Sequence, residues 1–368
     1  MLAQKTKILV IQTAFIGDVT LSIFFANDIK QIFPNSEITF ISTNIGCEIL
    51  QCFKIIDNTI PYDKRNSQKG ITGIINLAKN INQNNNINQN KNEFDIIFAL
   101  HRSFRTAILT KLINAKTKIG FNTNSLSFLL DKKIPYSKEL HEIERNRKCL
   151  DILKNSENFA YYNFDYLTTV SKIKQSFFIT ENDKITVARI IENITNNHKN
   201  TNHKNIIIVA AGSVWETKRW KAEYFSELCK SLKDCGFTVV LIGSKNEFAL
   251  CERIVNFSGV ISIAGKTTIP QTLEIIRNAK LVISNDSAPT HFASIMNVPT
   301  ITIFGPTSSN FGFAPLAEKS ISLEAQNLFC RPCSIHGTKK CPRNNFECME
   351  NIKPDYVLEY TKKLLQFF

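Results

Sequence analysis

The sequence predicts an α/β protein built from two Rossmann-like, doubly wound parallel-sheet domains that face each other across a cleft. Three observations carry that expectation. Apolar strands alternate with segments of helical period along most of the chain. The alternation starts afresh near residue 206, and 368 residues exceed what one hydrophobic core normally serves. Runs as apolar as Ile206-Ile207-Ile208-Val209-Ala210 belong in a sheet covered on both faces, which is the parallel arrangement.

In chain order, residues 7–12 read as the first strand. Leu21, Phe25, Ile29 and Ile32 predict a helix over 18–33, Pro34-Asn35-Ser36 ends it, and 37–41 resumes a strand, which makes a βαβ unit. A strand over 94–100, a helix over 103–113 and a short strand near 118–119 follow. Residues 80–91, "NINQNNNINQNK", are too polar for a core and predict a disordered surface insertion; 195–205 have a similar composition. A helix over 181–194 leads into the second half, so the boundary is set near residue 175, giving domains 1–175 and 176–368. The second half supplies strands at 206–210, 238–242, 260–263, 281–283 and 300–304. Helices lie between them at 222–235, 247–255, 269–278 and from about 288.

Hydrophobic residues at 43% and charged residues at 21% are ordinary for a globular chain, but the formal charge of +13 biases the surface toward anionic partners. The chain has no RNP-like aromatic run, no Cys/His finger spacing and no basic amphipathic helix, so nucleic acid is not expected. Lys5 and Lys7 precede only about four apolar residues with no small-residue cleavage site, unlike a signal peptide. No window nears the roughly 18 apolar residues of a membrane span. The expected location is the cytoplasm, at most peripheral on a membrane face.

Polar residues at strand ends mark the ligand edges. Gly17-Asp18 follows the first strand, where Asp18 alone reads most simply as a helix N-cap. Ala211 to Trp220, "AGSVWETKRW", puts Gly212, Ser213 and Thr217 beside Lys218 and Arg219, the makings of an oxyanion or diphosphate site. Ser284 to His291, "SNDSAPTH", offers Asp286 or Ser287 as a cap before Ala288 and Pro289, and that helix start favours a phosphate. His291 reads equally as a packed histidine. Glu247 stands where a ribose hydroxyl is held, or where a carboxylate meets a helix dipole.

The stretches "KILVIQTAFIGDVTLS", "AAGSVWETKRWKAEYFSELCKSLKDCGFTVVLIGSKNE" and "LVISNDSAPTHFASIMNVPTITIFGPTS" resemble the ADP-heptose lipopolysaccharide heptosyltransferases of glycosyltransferase family 9, and "CRPCSIHGTKKCP" resembles the tail of heptosyltransferase II-like members. The resemblance implies a two-domain GT-B fold and inverting transfer with no catalytic metal. It implies Asp18 as general base, and Lys218 with Ser213 on the donor phosphates. Glu247 falls on the ribose, and Asp286 with Ser287 on the nucleotide sugar. Gly17, Gly212, Thr217, Ala288 and His291 complete the donor-side candidates. The implied partners are an ADP-heptose-like donor, an anionic glycolipid acceptor and the cytoplasmic surface of the inner membrane. Arg102 and Arg105, with Arg145 behind them, are the acceptor candidates, and a last helix over about 354–368 is expected to pack back on the first domain. The sequence departs from the family pattern at Ala210-Ala211-Gly212, where His-Pro-Gly is usual, and at Ala288, where glycine is usual. Neither change removes a charge. A different nucleotide sugar, or a sugar-nucleotide binder without catalysis, are the alternative functions; a dinucleotide oxidoreductase is disfavoured because no G-x-G-x-x-G follows either leading strand.

Cys330, Cys333, Cys341 and Cys348 cluster near the C-terminus with enough thiolates for a tetrahedral structural zinc, although only the first pair has metal-like spacing. In a reducing compartment a zinc site is preferred over a disulfide there. The cluster is expected to staple a loop and take no part in chemistry.

Overall fold

Each of the two apolar openings in the sequence becomes an interior strand of its own six-stranded parallel sheet. The computed structural model describes residues 5–84, 93–153, 164–196 and 205–366, and the chain divides after Phe178 into two compact units.

The first unit runs β1 (Lys7–Ile11), α1 (Ile16–Ile32), β2 (Glu37–Ser42), α2 (Asn44–Leu50), β3 (Asn58–Pro61), α3 (Gly70–Asn84), β4 (Phe94–Ala99), α4 (Phe104–Leu112), β5 (Ala115–Phe121), β6 (Lys132–Ile134), α5 (Glu142–Lys148) and α6 (Tyr166–Ser176). Its strand order is β3-β2-β1-β4-β5-β6, the order of a doubly wound dinucleotide-binding sheet. The second unit runs α7 (Glu181–Asn196), β7 (Ile206–Ala210), α8 (Ala222–Asp234), β8 (Thr238–Leu241), α9 (Phe248–Ser258), β9 (Ile261–Ser262), α10 (Ile269–Arg277), β10 (Leu281–Asn285), α11 (Ala288–Met296), β11 (Thr300–Phe304), β12 (Ser320–Glu324), α12 (Glu347–Glu350) and α13 (Pro354–Leu365). Its order, β12-β11-β10-β7-β8-β9, repeats the first sheet's topology.

α1 is apolar around nearly its whole circumference, with Val19, Leu21, Phe24, Phe25 and Ile29 all buried. Such a helix must be covered on every side. Phe25 meets the sheet edge-on at Phe98 of β4, 5.0 Å between ring centroids, and α2, α5 and α6 pack against other parts of the helix. This burial fixes the start of α1, and with it Gly17 and Asp18, at the C-terminal edge of β1. A buried carboxylate locks α5 there as well: Arg147, itself only slightly exposed, donates from Nε to Asp28 Oδ2 of α1 at 2.6 Å.

Several expectations change. Helix α1 starts at Ile16 with Phe15 as its N-cap, so Asp18 is a first-turn residue and no cap. The stretch expected to be disordered from 80 is helical to Asn84, because Ile74, Leu77, Ala78 and Ile81 carry an apolar face into the core; the remainder to 91 lies outside the described residues. Likewise 195–196 extend α7, and 197–204 lie outside the described residues. Within its own unit the last helix, α13, packs on α8 and β12, where Val357 is fully buried in the second core. Among the described residues, no helix is long and apolar enough to cross a membrane.

Candidate active site

In the first unit, parallel register sets Ile11 beside Ile41 and Ala99, which brings Thr13 and His101 together just past the strand ends. Thr13 Oγ1 lies 2.8 Å from His101 Nδ1, and Lys64 Nζ donates to the Thr13 carbonyl. Burial, with Lys64 and Arg102 nearby, pushes His101 down to about 4, so the ring is neutral at pH 7. Arg102 and Arg105 follow on the same edge and are both exposed. Arg102 stacks 3.6 Å from the Tyr136 ring centroid and reaches Thr123 Oγ1 at 3.3 Å.

Asp18 sits in this cationic neighbourhood, partly open to solvent. Burial pushes its carboxyl up to about 6, against backbone hydrogen bonds at Asp18 and Phe15 and the charges of Arg102 and Arg145. The Asp18 carboxyl is thus ionised at neutral pH while keeping more proton affinity than an exposed aspartate. Arg145, the third acceptor candidate, is 3% exposed and belongs to the framework around Asp18.

In the second unit, Lys218 Nζ meets Asp286 Oδ2 at 2.6 Å, with both side chains nearly buried, and Thr307 Oγ1 donates to the same oxygen at 2.7 Å. Asn285 ties the two loops together. Its Oδ1 accepts the Trp220 backbone N–H at 3.0 Å, and its Nδ2 donates to the Ala211 carbonyl at 2.7 Å. Arg219 Nε donates to the Ser213 carbonyl at 2.8 Å. Ser287 is the N-cap of α11, as expected by position, but its hydroxyl turns to the Asn285 carbonyl and no side chain caps the helix. A helix start without a side-chain cap, beside a held lysine, is suited to an anion. Ala288 opens that helix.

Glu247 closes the site on the β8 side. Its Oε2 accepts from the Ser244 N–H at 2.7 Å and the Ser244 hydroxyl at 2.8 Å, while a Cβ on Gly212 would come within 1.7 Å of its Oε1. Glycine at 212 is therefore the residue that lets this carboxylate approach the β7 loop. His291 is buried with its ring edge-on to Phe313, the packed reading of that histidine.

Thr217 faces elsewhere. Its hydroxyl donates to the Thr338 carbonyl at 2.7 Å and accepts the Thr338 N–H at 2.8 Å, and Gly337 packs against the Lys218 stem. The cysteine-bearing loop therefore braces the lysine turn from outside, a link that no local sequence pattern announces. Cys330, Cys333, Cys341 and Cys348 all line one cavity of about 310 Å³. Among the described residues no three His, Cys, Asp or Glu side chains stand close enough, as they are placed, to hold a metal ion. The thiols are engaged singly: Cys333 with the Cys330 carbonyl at 2.9 Å, Cys341 with Asn345 Oδ1 at 3.9 Å. Burial pushes Cys348 up to about 11 and keeps it a thiol.

Glu142, Tyr136 and His101 were not picked out from sequence. The segment "HEIER" does carry a signal, since Glu142 and Arg145 stand one turn apart on a helix whose start is capped by His141 and Glu144.

Residues 88–342, more than half of the chain, match the family model of glycosyltransferase family 9 (heptosyltransferase). The chain belongs to this family. This glycosyltransferase is 25% identical to lipooligosaccharide heptosyltransferase 2 of Campylobacter jejuni over 98% of both chains. Its fold is similar to a family 9 glycosyltransferase structure from Veillonella parvula, with a TM-score of 0.81 at 22% identity, covering 100% of this chain and 99% of that one. It is also similar to the ADP-heptose heptosyltransferase II structure of Escherichia coli, with a TM-score of 0.70 at 20% identity over 98% of both chains. The pair of doubly wound sheets expected from sequence is the fold these proteins share.

Proposed function

We propose that this family 9 glycosyltransferase transfers heptose from ADP-heptose to an anionic inner-core lipopolysaccharide acceptor, with inversion at the anomeric carbon. The observation that carries the reading is Asp18: a carboxyl raised to about 6, at the ligand edge of a unit whose neighbouring side chains are cationic. In the reaction the acceptor hydroxyl oxygen forms a bond to the anomeric carbon, and the bond from that carbon to the diphosphate oxygen breaks. The electron pair leaves with ADP, and the hydroxyl proton passes to Asp18. A base with affinity near the working pH suits such a step. Arg102 and Arg105 take the acceptor's anionic groups.

The second unit receives the donor. Lys218, fixed by Asp286, and the start of α11 offset the charge that grows on the leaving diphosphate, an effect worth about 3–4 kcal/mol where one such donor is removed. Ser213 and Gly212 lie beside the same lysine turn, and Glu247 takes a ribose hydroxyl in this reading. Asp286 and Ser287 contact the nucleotide sugar. No step runs through the cysteine cluster. The work is done in the cytoplasm at the inner face of the membrane that holds the acceptor, to which a chain of charge +13 is drawn.

The test is a transfer assay on the purified chain with ADP-heptose and defined inner-core acceptors, read by mass spectrometry beside other nucleotide sugars. Turnover of ADP-heptose onto the acceptor is expected. Preference for another nucleotide sugar replaces the donor in this account, and nucleotide-sugar binding with no turnover of any donor replaces the enzyme with a binding protein.

A further inference from the structure

Helix α5 packs on α1 and brings a second carboxylate to the base. Glu142 and Arg145 are 6% and 3% exposed and pair at 3.0 Å between Oε2 and a guanidinium nitrogen. Arg145 is held on its other sides by the Ser137 carbonyl at 2.8 Å and the Lys138 carbonyl at 2.8 Å, with the Tyr136 ring centroid 5.1 Å away. Buried ion pairs are costly, and one Glu with one Arg would already balance. Asp18 adds a further negative charge to this pocket, and Arg102 supplies the further positive one from its rim.

We propose that Glu142 is a positioning residue for the base: it holds Arg145 in place and sets a second carboxylate near enough for its charge to act on Asp18, so that Asp18 receives the acceptor's proton as one half of a carboxylate pair. This rests on the reading of Asp18 as the base. Two neighbouring carboxyls that feel each other release their protons in two steps that belong to the pair. Burial pushes Glu142 up to about 7, Asp18's charge adds to it, and Arg145 and Arg102 oppose it; Asp18 stands at about 6. Between those values the pair holds one proton. Above them both are ionised, and the Glu142 charge then raises the affinity of Asp18 for the incoming proton. The groups facing the pair are Arg102 after β4, Tyr136 after β6, and Arg145 and Cys149 on and after α5, with Asp151 beyond Cys149. Of these the Cys149 thiol is pushed up out of the neutral range by burial and the Tyr136 phenol is raised, so neither changes charge near pH 6–7.

The test is Glu142→Gln, which keeps an oxygen for Arg145 but no charge. The acid limb of the kcat/KM profile should move down by about one pH unit, the gap between the two steps, as the upper one disappears. The plateau kcat should fall several-fold while ADP-heptose affinity by calorimetry stays unchanged. An unmoved limb, with activity lowered equally at every pH, overturns the proposal and leaves Glu142 a structural partner of Arg145. Carboxyl ¹³C NMR of aspartate-labelled protein reads the pairing without turnover. Asp18 should titrate in two steps in the unaltered protein and in one step in Glu142→Gln, and a single step in both also overturns the proposal. Full turnover in Asp18→Asn would instead remove the base assignment and leave the NMR result standing.

Discussion

Asp18 is the third residue of α1, and two effects oppose each other there. A helix N-terminus favours the ionised carboxyl by about 0.3–1 kcal/mol, which is less than one pKa unit. Burial acts the other way and wins, leaving the group at about 6. Sequence reasoning finds the residue and the dipole but not the packing of α5 over it, so the stronger influence is invisible until the fold exists. The same holds for Lys218. Its position after a strand is legible, whereas its ion pair with Asp286 joins loops 68 residues apart and is not. Lys218→Met leaves Asp286 an unpaired, nearly buried anion where the diphosphate is to bind. Donor dissociation constants from calorimetry should rise at least tenfold, about 1.4 kcal/mol. An unchanged constant would mean that Lys218 serves only to hold Asp286.

Elements differ in how strongly the sequence marks them. Interior strands such as β1, β7 and β10 are nearly all apolar, because helices cover both faces, and they are easily read. Strands β3, β6 and β12 escape notice: Asn58–Pro61 and Lys132–Ile134 are short sheet-edge segments, half polar, whose pairing comes from the neighbouring strand rather than from their own composition. Helix α5 escapes for a related reason, since "EIERNRK" looks like a solvated surface turn yet buries Glu142, Ile143, Arg145 and Asn146. The cysteine loop meets the lysine turn at several points, of which the Thr217 hydroxyl is the one a single substitution removes cleanly. Thr217→Val keeps the side-chain volume and removes both hydrogen bonds to Thr338. The loop at 330–348 should become more susceptible to limited proteolysis, and donor affinity should weaken several-fold through the loosened Lys218 turn. Unaltered proteolysis and affinity together would show that the brace is idle.

On the scale of the whole molecule, one topology is used twice, and the proposed function divides the polar chemistry between the copies: acceptor cations and base in the first unit, diphosphate site in the second. The first unit's carboxylate pair should leave a trace in stability. In the fold Asp18 and Glu142 lie at about 6 and about 7, above their ordinary values of 3.8 and 4.5, so the folded chain binds more protons than the unfolded one across that interval. Their contribution is therefore present below about pH 4, lost as pH rises through 6 to 7, and flat above. Both tryptophans, Trp215 and Trp220, lie in the second unit, so fluorescence follows that unit and a dichroism transition without a fluorescence change follows the first. His101 of the same unit, held down at about 4, contributes the opposite slope over this interval, so the carboxyls are read by difference: the first-unit urea midpoint of Asp18→Asn relative to the unaltered protein should rise between pH 4 and 7. A difference that is flat or falls over the interval would contradict the raised Asp18 carboxyl. The assignment of Asp18 itself is tested most directly by Asp18→Asn in the ADP-heptose transfer assay, with donor affinity measured on the same sample. The account predicts turnover lowered about 10²–10⁴-fold with donor affinity unchanged; turnover within a few-fold of the unaltered enzyme would contradict it.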